Sequence, residues 1–231
     1  MPFAPRNPPI LARTLNLGPH RPLSEAPSLL PESTMRFAPA LVLVAITAGA
    51  LNYFSARPIS QAEGAIAPSA PVQVDRSDLP GFSIADYQIA PAAEFSVEAR
   101  VLSLAKYSSG READLSPIDL ALGWGPMSDS AVLKRLQISQ GNRYYFYSWP
   151  MNPPITPTQI VEHSANMHMI PATDEVRRRL DQVSVGQIVA LRGYLVRVKA
   201  PDGWHWNSSL TRSDSGDGAC EVVWVQDFVI R

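Results

Sequence analysis

The chain of 231 residues holds one cysteine, Cys220, and that scarcity excludes an intramolecular disulfide and every zinc site built on several thiolates. It also lacks an excess of either charge: 20 Lys and Arg stand against 21 Asp and Glu. The balance holds over residues 92–231, where 14 basic residues face 15 acidic ones. Proteins that hold nucleic acid draw much of their affinity from a basic surface, so no nucleic acid is expected as a partner. No H-E-x-x-H or C-x-x-C occurs, and no internal repeat is visible. No cofactor and no metal site is expected.

Aromatics are missing from the N-terminal stretch, where residues 1–34 contain only Phe3 beside eight prolines. Without apolar periodicity such a segment cannot bury a core, and it is expected to be disordered. Met35-Arg36 then opens an uncharged run from Phe37 to Ala56 centred on ALVLVAITAGAL. Twenty helical residues rise about 30 Å, the thickness of a bilayer hydrocarbon core. Residues 35–57 therefore read as a transmembrane helix or a signal segment. Ala48-Gly49-Ala50 would serve as a cleavage site in the second case. A positive start followed by an apolar run is how an export signal begins, so Met35 is the expected natural start. Residues 1–34 would then not be translated. The localisation expected is the bacterial inner membrane, single pass, with the following domain in the periplasm. Arg36 and Arg57 flank the run almost equally, so the signal-like order rather than flanking charge sets that orientation.

Residues 58–91 are rich in Ala, Pro, Ser and Gln and read as an extended linker. The globular domain is expected over 92–231. FSVEARV alternates apolar and polar from Phe95, the pattern of a half-buried strand. Ser116-Pro117-Ile118-Asp119 has the form of a helix start and predicts a helix to Gly123; Asp129 opens another. Arg143–Tyr147 is an aromatic strand that stops at the prolines beyond Pro150. Thr156-Pro157-Thr158-Gln159 carries a capping box, Ala165–Ile170 is extended before Pro171, and Thr173 caps a helix with Val176, Leu180 and Val183 on one face. Strands follow over 187–199, 204–210 and 220–230, with a turn at Pro201-Asp202-Gly203. VALRGYLV and EVVWV are apolar on both faces. That suits an α+β fold, mainly antiparallel: a small barrel-like sheet of the OB or SH3-like kind with two or three short helices.

DLALGWGPMSD (Asp119–Asp129), HSANMHMIPA (His163–Ala172) and SSLTRSDSGDGACEVVWV (Ser208–Val225) resemble a family of uncharacterised bacterial proteins with an N-terminal apolar, membrane or export segment. The resemblance covers most of residues 90–230. That family has no established activity, so the resemblance implies no catalytic or binding residue.

His163, His168 and Cys220 are the residues that could form a nucleophile or metal site, because a thiol beside an imidazole gains thiolate character. The competing reading is a buried, inert Cys220 with hydrogen-bonded structural histidines. Ser208, Ser209, Thr211, Arg212, Asp214 and Asp217 could present hydroxyls, a guanidinium and amides to an anion, or form a turn that bonds itself. Trp124, between two glycines, and Tyr144, Tyr145, Tyr147 and Trp149 could line a groove or fill a core. Trp204 and Trp206 more simply share one face of a strand. Three functions stay open: a non-enzymatic envelope domain for binding or scaffolding, with an envelope protein as partner; a small enzyme using Cys220 with His163 or His168; and an oligonucleotide-binding barrel.

Overall fold

The structure is a computed structural model and describes residues 58–214, 216 and 218–231. The disordered stretch 1–34 and the transmembrane or signal segment 35–57 expected from the sequence lie outside the described residues, as does Asp217. Among the described residues no helix is long and apolar enough to cross a membrane.

The fold is α+β with a mainly antiparallel sheet and four short helices. In chain order the strands are β1 (Val72–Asp75), β2 (Phe82–Ile84), β3 (Tyr87–Lys106), β4 (Ile118–Gly123), β5 (Gln137–Gly141), β6 (Tyr144–Ser148), β7 (Ser164–Pro171), β8 (Ile188–Lys199), β9 (His205–Asn207) and β10 (Glu221–Ile230). The helices are α1 (Arg111–Leu115), α2 (Ser130–Leu133), α3 (Pro157–Glu162) and α4 (Asp174–Asp181).

Five strands close into a ring, because the twenty-residue β3 serves two neighbours. Gln88–Arg100 pair with β8, and Arg100–Lys106 pair with β4. The ring continues from β4 to β7, from β7 to β10 and from β10 back to β8; only the β7–β10 pairing is parallel. β1 and β2 extend the sheet from β3, and β9 extends it from β8. A register shift between Val101 and Ser103 bends β3 where it passes from one partner to the other.

Alternate residues of the ring strands build one buried cluster: Val97 and Ala99 of β3, Leu120 and Leu122 of β4, Met167 and Met169 of β7, Leu191 and Leu195 of β8, Val223 and Val225 of β10. Each valine, leucine or methionine of this set contributes about 1.5–3 kcal/mol when removed from water. Thr173 caps α4 by accepting from Val176 N, and α4 lays Val176 and Leu180 on that cluster. The opposite faces are covered too. Ile170, Val196, Val198 and Val222 meet Trp204, Trp206 and Trp224, while Ala121, Met127 and Ile160 meet Ile138, Tyr145 and Tyr147 of the β5–β6 hairpin. Burial on both sides is why β10 carries apolar residues on both faces, Val222 and Trp224 opposite Val223 and Val225.

Two sequence expectations are corrected here. Residues 118–123 are a strand, not a helix: Leu120 and Leu122 alternate with Asp119 and Ala121, and β4 is hydrogen-bonded on both edges. The helix in this stretch is α1, which ends at Ser116 instead of starting there. Residues 58–91 are likewise no free linker. They hold β1, β2 and the start of β3, and residues 59–67 are strapped to the domain. Ile59 N donates to Val185 O (2.7 Å), Gln61 Nε2 to Gly186 O (3.0 Å), Gly64 N to Asp129 Oδ1 (2.9 Å) and Ala67 N to Ser128 Oγ (3.1 Å). Gly186 is needed for this strap, since at φ +92° a Cβ there would lie 2.0 Å from Ile59 O. The buried Arg100 steadies the strap's partners by donating to Ser128 O (3.1 Å) and Ser130 Oγ (2.7 Å).

Candidate functional site

Two guanidinium–carboxylate pairs with buried acids stand out, one on the outside of the sheet and one lining a cleft. The first belongs to the hairpin. Asn142 and Arg143, at φ +51° and +68°, form the two-residue turn that joins β5 to β6, the tight connection whose twist matches that of the strands. Arginine is an unusual choice for a left-handed position, and its contacts explain the tolerance. Arg143 Nη1 donates to Asp119 Oδ1 (2.7 Å) and Ser116 O (3.0 Å), its guanidinium lies 3.8 Å from the Tyr107 ring centre, and its N–H donates to Tyr107 Oη (3.1 Å). Asn166 Nδ2 donates to Arg143 O (2.9 Å). His168 Nδ1 is 3.0 Å from Asp119 Oδ1 without the alignment of a hydrogen bond, and its ring packs on Trp206 at 4.7 Å. The hairpin tip is thereby fastened to the outside of β4 and β7.

The second pair closes one end of the ring. Glu221 opens β10 in phase with Val223 and Val225, so its side chain belongs to the ring interior, and it is 1 % exposed. Arg212, on the loop between β9 and β10, pairs with Glu221 Oε1 through Nη1 and donates from Nη2 to Gln73 Oε1 (2.6 Å); its guanidinium lies 5.3 Å from the Phe95 ring centre. Burial pushes the Glu221 carboxyl up to about 8 against the opposing pull of Arg212, and the nearby charge of Asp214 adds to the rise. Glu221 Oε2 has no hydrogen-bond partner.

Beside the second pair opens a cleft of about 120 Å³, walled by Tyr145 and Tyr147 of the hairpin, Asn166 of β7, and Arg212, Asp214 and Glu221. Tyr145 stays a phenol, its hydroxyl pushed up to about 12 by burial.

The sequence-derived site residues divide. Arg212 and Asp214 both line the cleft, and Asp214 accepts from Ser209 Oγ. Cys220 lines it as well, but its thiol donates to Arg143 O (3.8 Å) and receives Asn166 Nδ2 (3.7 Å); burial pushes it up to about 11, so it is a thiol and not a thiolate. Neither histidine is among its hydrogen-bond partners. His168 belongs to the Asp119 cluster, while His163 ends α3 with Nδ1 on Gln159 O (2.8 Å) and its ring against Gly125. Trp124, a proposed ligand contact, is instead 2 % exposed in the central core, because its flanking glycines let the chain fold around it. Among the described residues no group of three or more His, Cys, Asp or Glu is placed to hold a metal ion.

Glu221 and Asn166 escaped the sequence reading. Glu221 was the more findable, because an acid in phase with buried valines signals a buried carboxylate. Asn166 carries no such signal; its partners lie 23, 26 and 54 residues away. Comparison of the chain with protein-family models, with curated proteins and with solved structures found no match in any of the three.

Proposed function

We propose that the chain is a membrane-anchored envelope protein whose ring domain is a non-enzymatic binding module, with the cleft beside Glu221 as its ligand site. One observation carries this reading: an open cleft lined by a buried carboxyl with an unpartnered oxygen. The ring supports an OB-type barrel. Numbered along the chain, its strands follow the cyclic order one, two, three, five, four, with three and five parallel. In such barrels ligands meet strands two and three and the loop between four and five. Here those are β4, β7 and the loop from 200 to 220, and β7 and that loop line the cleft.

The protonated thiol and the distance of both histidines from its hydrogen bonds weigh against Cys220 as a nucleophile. Two acids beside a single, already paired arginine weigh against an oligonucleotide in the cleft. For the anchor, the support is the uncharged run that ends at Ala56. The family resemblance and the periplasmic side belong to the same proposal.

The test is native mass spectrometry of the full chain released from detergent after purification from its membranes. The parent protein is expected to carry a small-molecule mass that the cleft-filling variant Ala219→Trp lacks. Identical spectra with no adduct on either would sink the reading. A reporter active only in the cytoplasm, fused after Arg231 and found active, would reverse the orientation.

A further inference from the structure

The guanidinium, amide and thiol donors around the cleft are engaged, which leaves the Tyr147 and Thr211 hydroxyls as its uncommitted side-chain donors among the described residues. Arg212 directs Nη1 at Glu221 and Nη2 at Gln73, and stacks on Phe95. Asn166 Nδ2 and the Cys220 thiol both donate to Arg143 O. What remains on the cleft floor accepts. Glu221 Oε2 is buried without a donor, and Asp214 holds its carboxylate near it with only the Ser209 hydroxyl on Oδ2. A buried carboxyl oxygen without a partner is costly. A ligand that brings N–H donors and positive charge relieves that cost and favours the ionised form of Glu221. The opposite wall suits the same ligand: Tyr145 and Tyr147 stand 5.5 Å apart, and aromatic faces attract cations. An anion would meet two carboxyls, and the one guanidinium that could greet it is turned toward Glu221 and Gln73.

Resting on the reading of this cleft as the ligand site, we propose that it takes a small primary ammonium carried on an aromatic or apolar body, the charged end toward Glu221 and Asp214 and the body against Tyr145 and Tyr147.

The experiment compares three probes of one shape, benzylamine, benzyl alcohol and benzoate, titrated into the full chain in detergent and followed by ligand-observed NMR. Benzylamine is expected to bind at least about tenfold tighter than either of the others, the value of one charge-assisted contact. Glu221→Gln and Asp214→Asn are each expected to weaken benzylamine by roughly five- to tenfold and to leave benzyl alcohol unchanged. Asp214 is exposed, so its variant keeps the test alive should Glu221→Gln fold poorly. Benzoate binding tightest, or benzylamine unaffected by both variants, would overturn the ammonium assignment while leaving the cleft as a site. Failure of all three probes, together with no adduct lost in Ala219→Trp, would remove the site itself.

Discussion

The two arginine–carboxylate pairs use the same chemistry to opposite ends. Arg143 is held by side chain and backbone alike: Asp119, Ser116, Tyr107 and Asn166 all engage it, and the hairpin tip cannot move without breaking several contacts at once. Arg212 reaches its acid from a loop and, among the described residues, otherwise engages only Gln73 and Phe95. Each pair leaves one carboxyl oxygen, Asp119 Oδ2 or Glu221 Oε2, without a donor. One pair is a fastening on the outside of the sheet, and the other borders an open space. The same ion pair is structure where side chains close around it and a site where it faces an opening.

The comparison breaks first at Arg143. Arg143→Met leaves Asp119 buried without its main partner, and the expected loss is roughly 3–5 kcal/mol in urea denaturation, as for other broken buried pairs. A loss within about half a kcal/mol would make the hairpin tip a surface ornament.

Next comes Glu221, through pH. Its folded value of about 8 lies above the ordinary 4.5, so between those limits the folded protein holds more of this proton than the unfolded chain. Stability from this group is therefore greatest at low pH, falls as pH rises from about 4.5 to about 8, and is level above. Glu221→Gln is expected to remove that slope, so that variant and parent diverge by on the order of a few kcal/mol across the window. Parallel stability–pH curves would show that Arg212 holds the carboxylate ionised throughout.

Cys220 bridges the two regions, since its thiol donates to Arg143 O while it lines the cleft. Labelling with a thiol reagent at neutral pH is expected only on denaturation, and Cys220→Ser should cost about 1–3 kcal/mol for a hydroxyl placed where sulfur fits. Rapid labelling of the folded protein would put Cys220 on the functional side of the comparison. The smallest effect is expected at Asn142, whose φ of +51° asparagine accepts more readily than alanine. Asn142→Ala should lose about 1 kcal/mol in the same denaturation series, sharpening the hairpin side without touching the cleft.

Much of the fold was legible wherever the signal is local. The capping box at Thr156 stands as read, with Gln159 N on Thr156 Oγ1 and Thr156 N on Gln159 Oε1. The helix after Thr173, the aromatic strand ending before Trp149 and the long strand from Ile188 follow their periodicities. What was missed depends on distant partners. Residues 58–91 look like linker because nothing near them in sequence shows that Val185 and Gly186 will take Ile59 and Gln61. Ser116-Pro117 looks like a helix start because the edges that make 118–123 a strand come from β3 and β7. For the site, the loop polarity pointed to Arg212 and Asp214, but the carboxyl that gives them meaning sits across a turn and inside the ring.

The fastened hairpin tip has a consequence for what the cleft can tolerate over time. With Arg143 pinned to Asp119, the tip is the zero mark of a ruler laid along β6. Even steps from Arg143 place Tyr145 and Tyr147 against the sheet, and odd steps send Phe146 and Ser148 to water. Gaining or losing one residue between Arg143 and Tyr145 would swap the two sets and replace the cleft's phenol wall with whatever now faces outward. Substitutions along β6 can therefore change the wall one side chain at a time, while any single-residue insertion or deletion rewrites it whole.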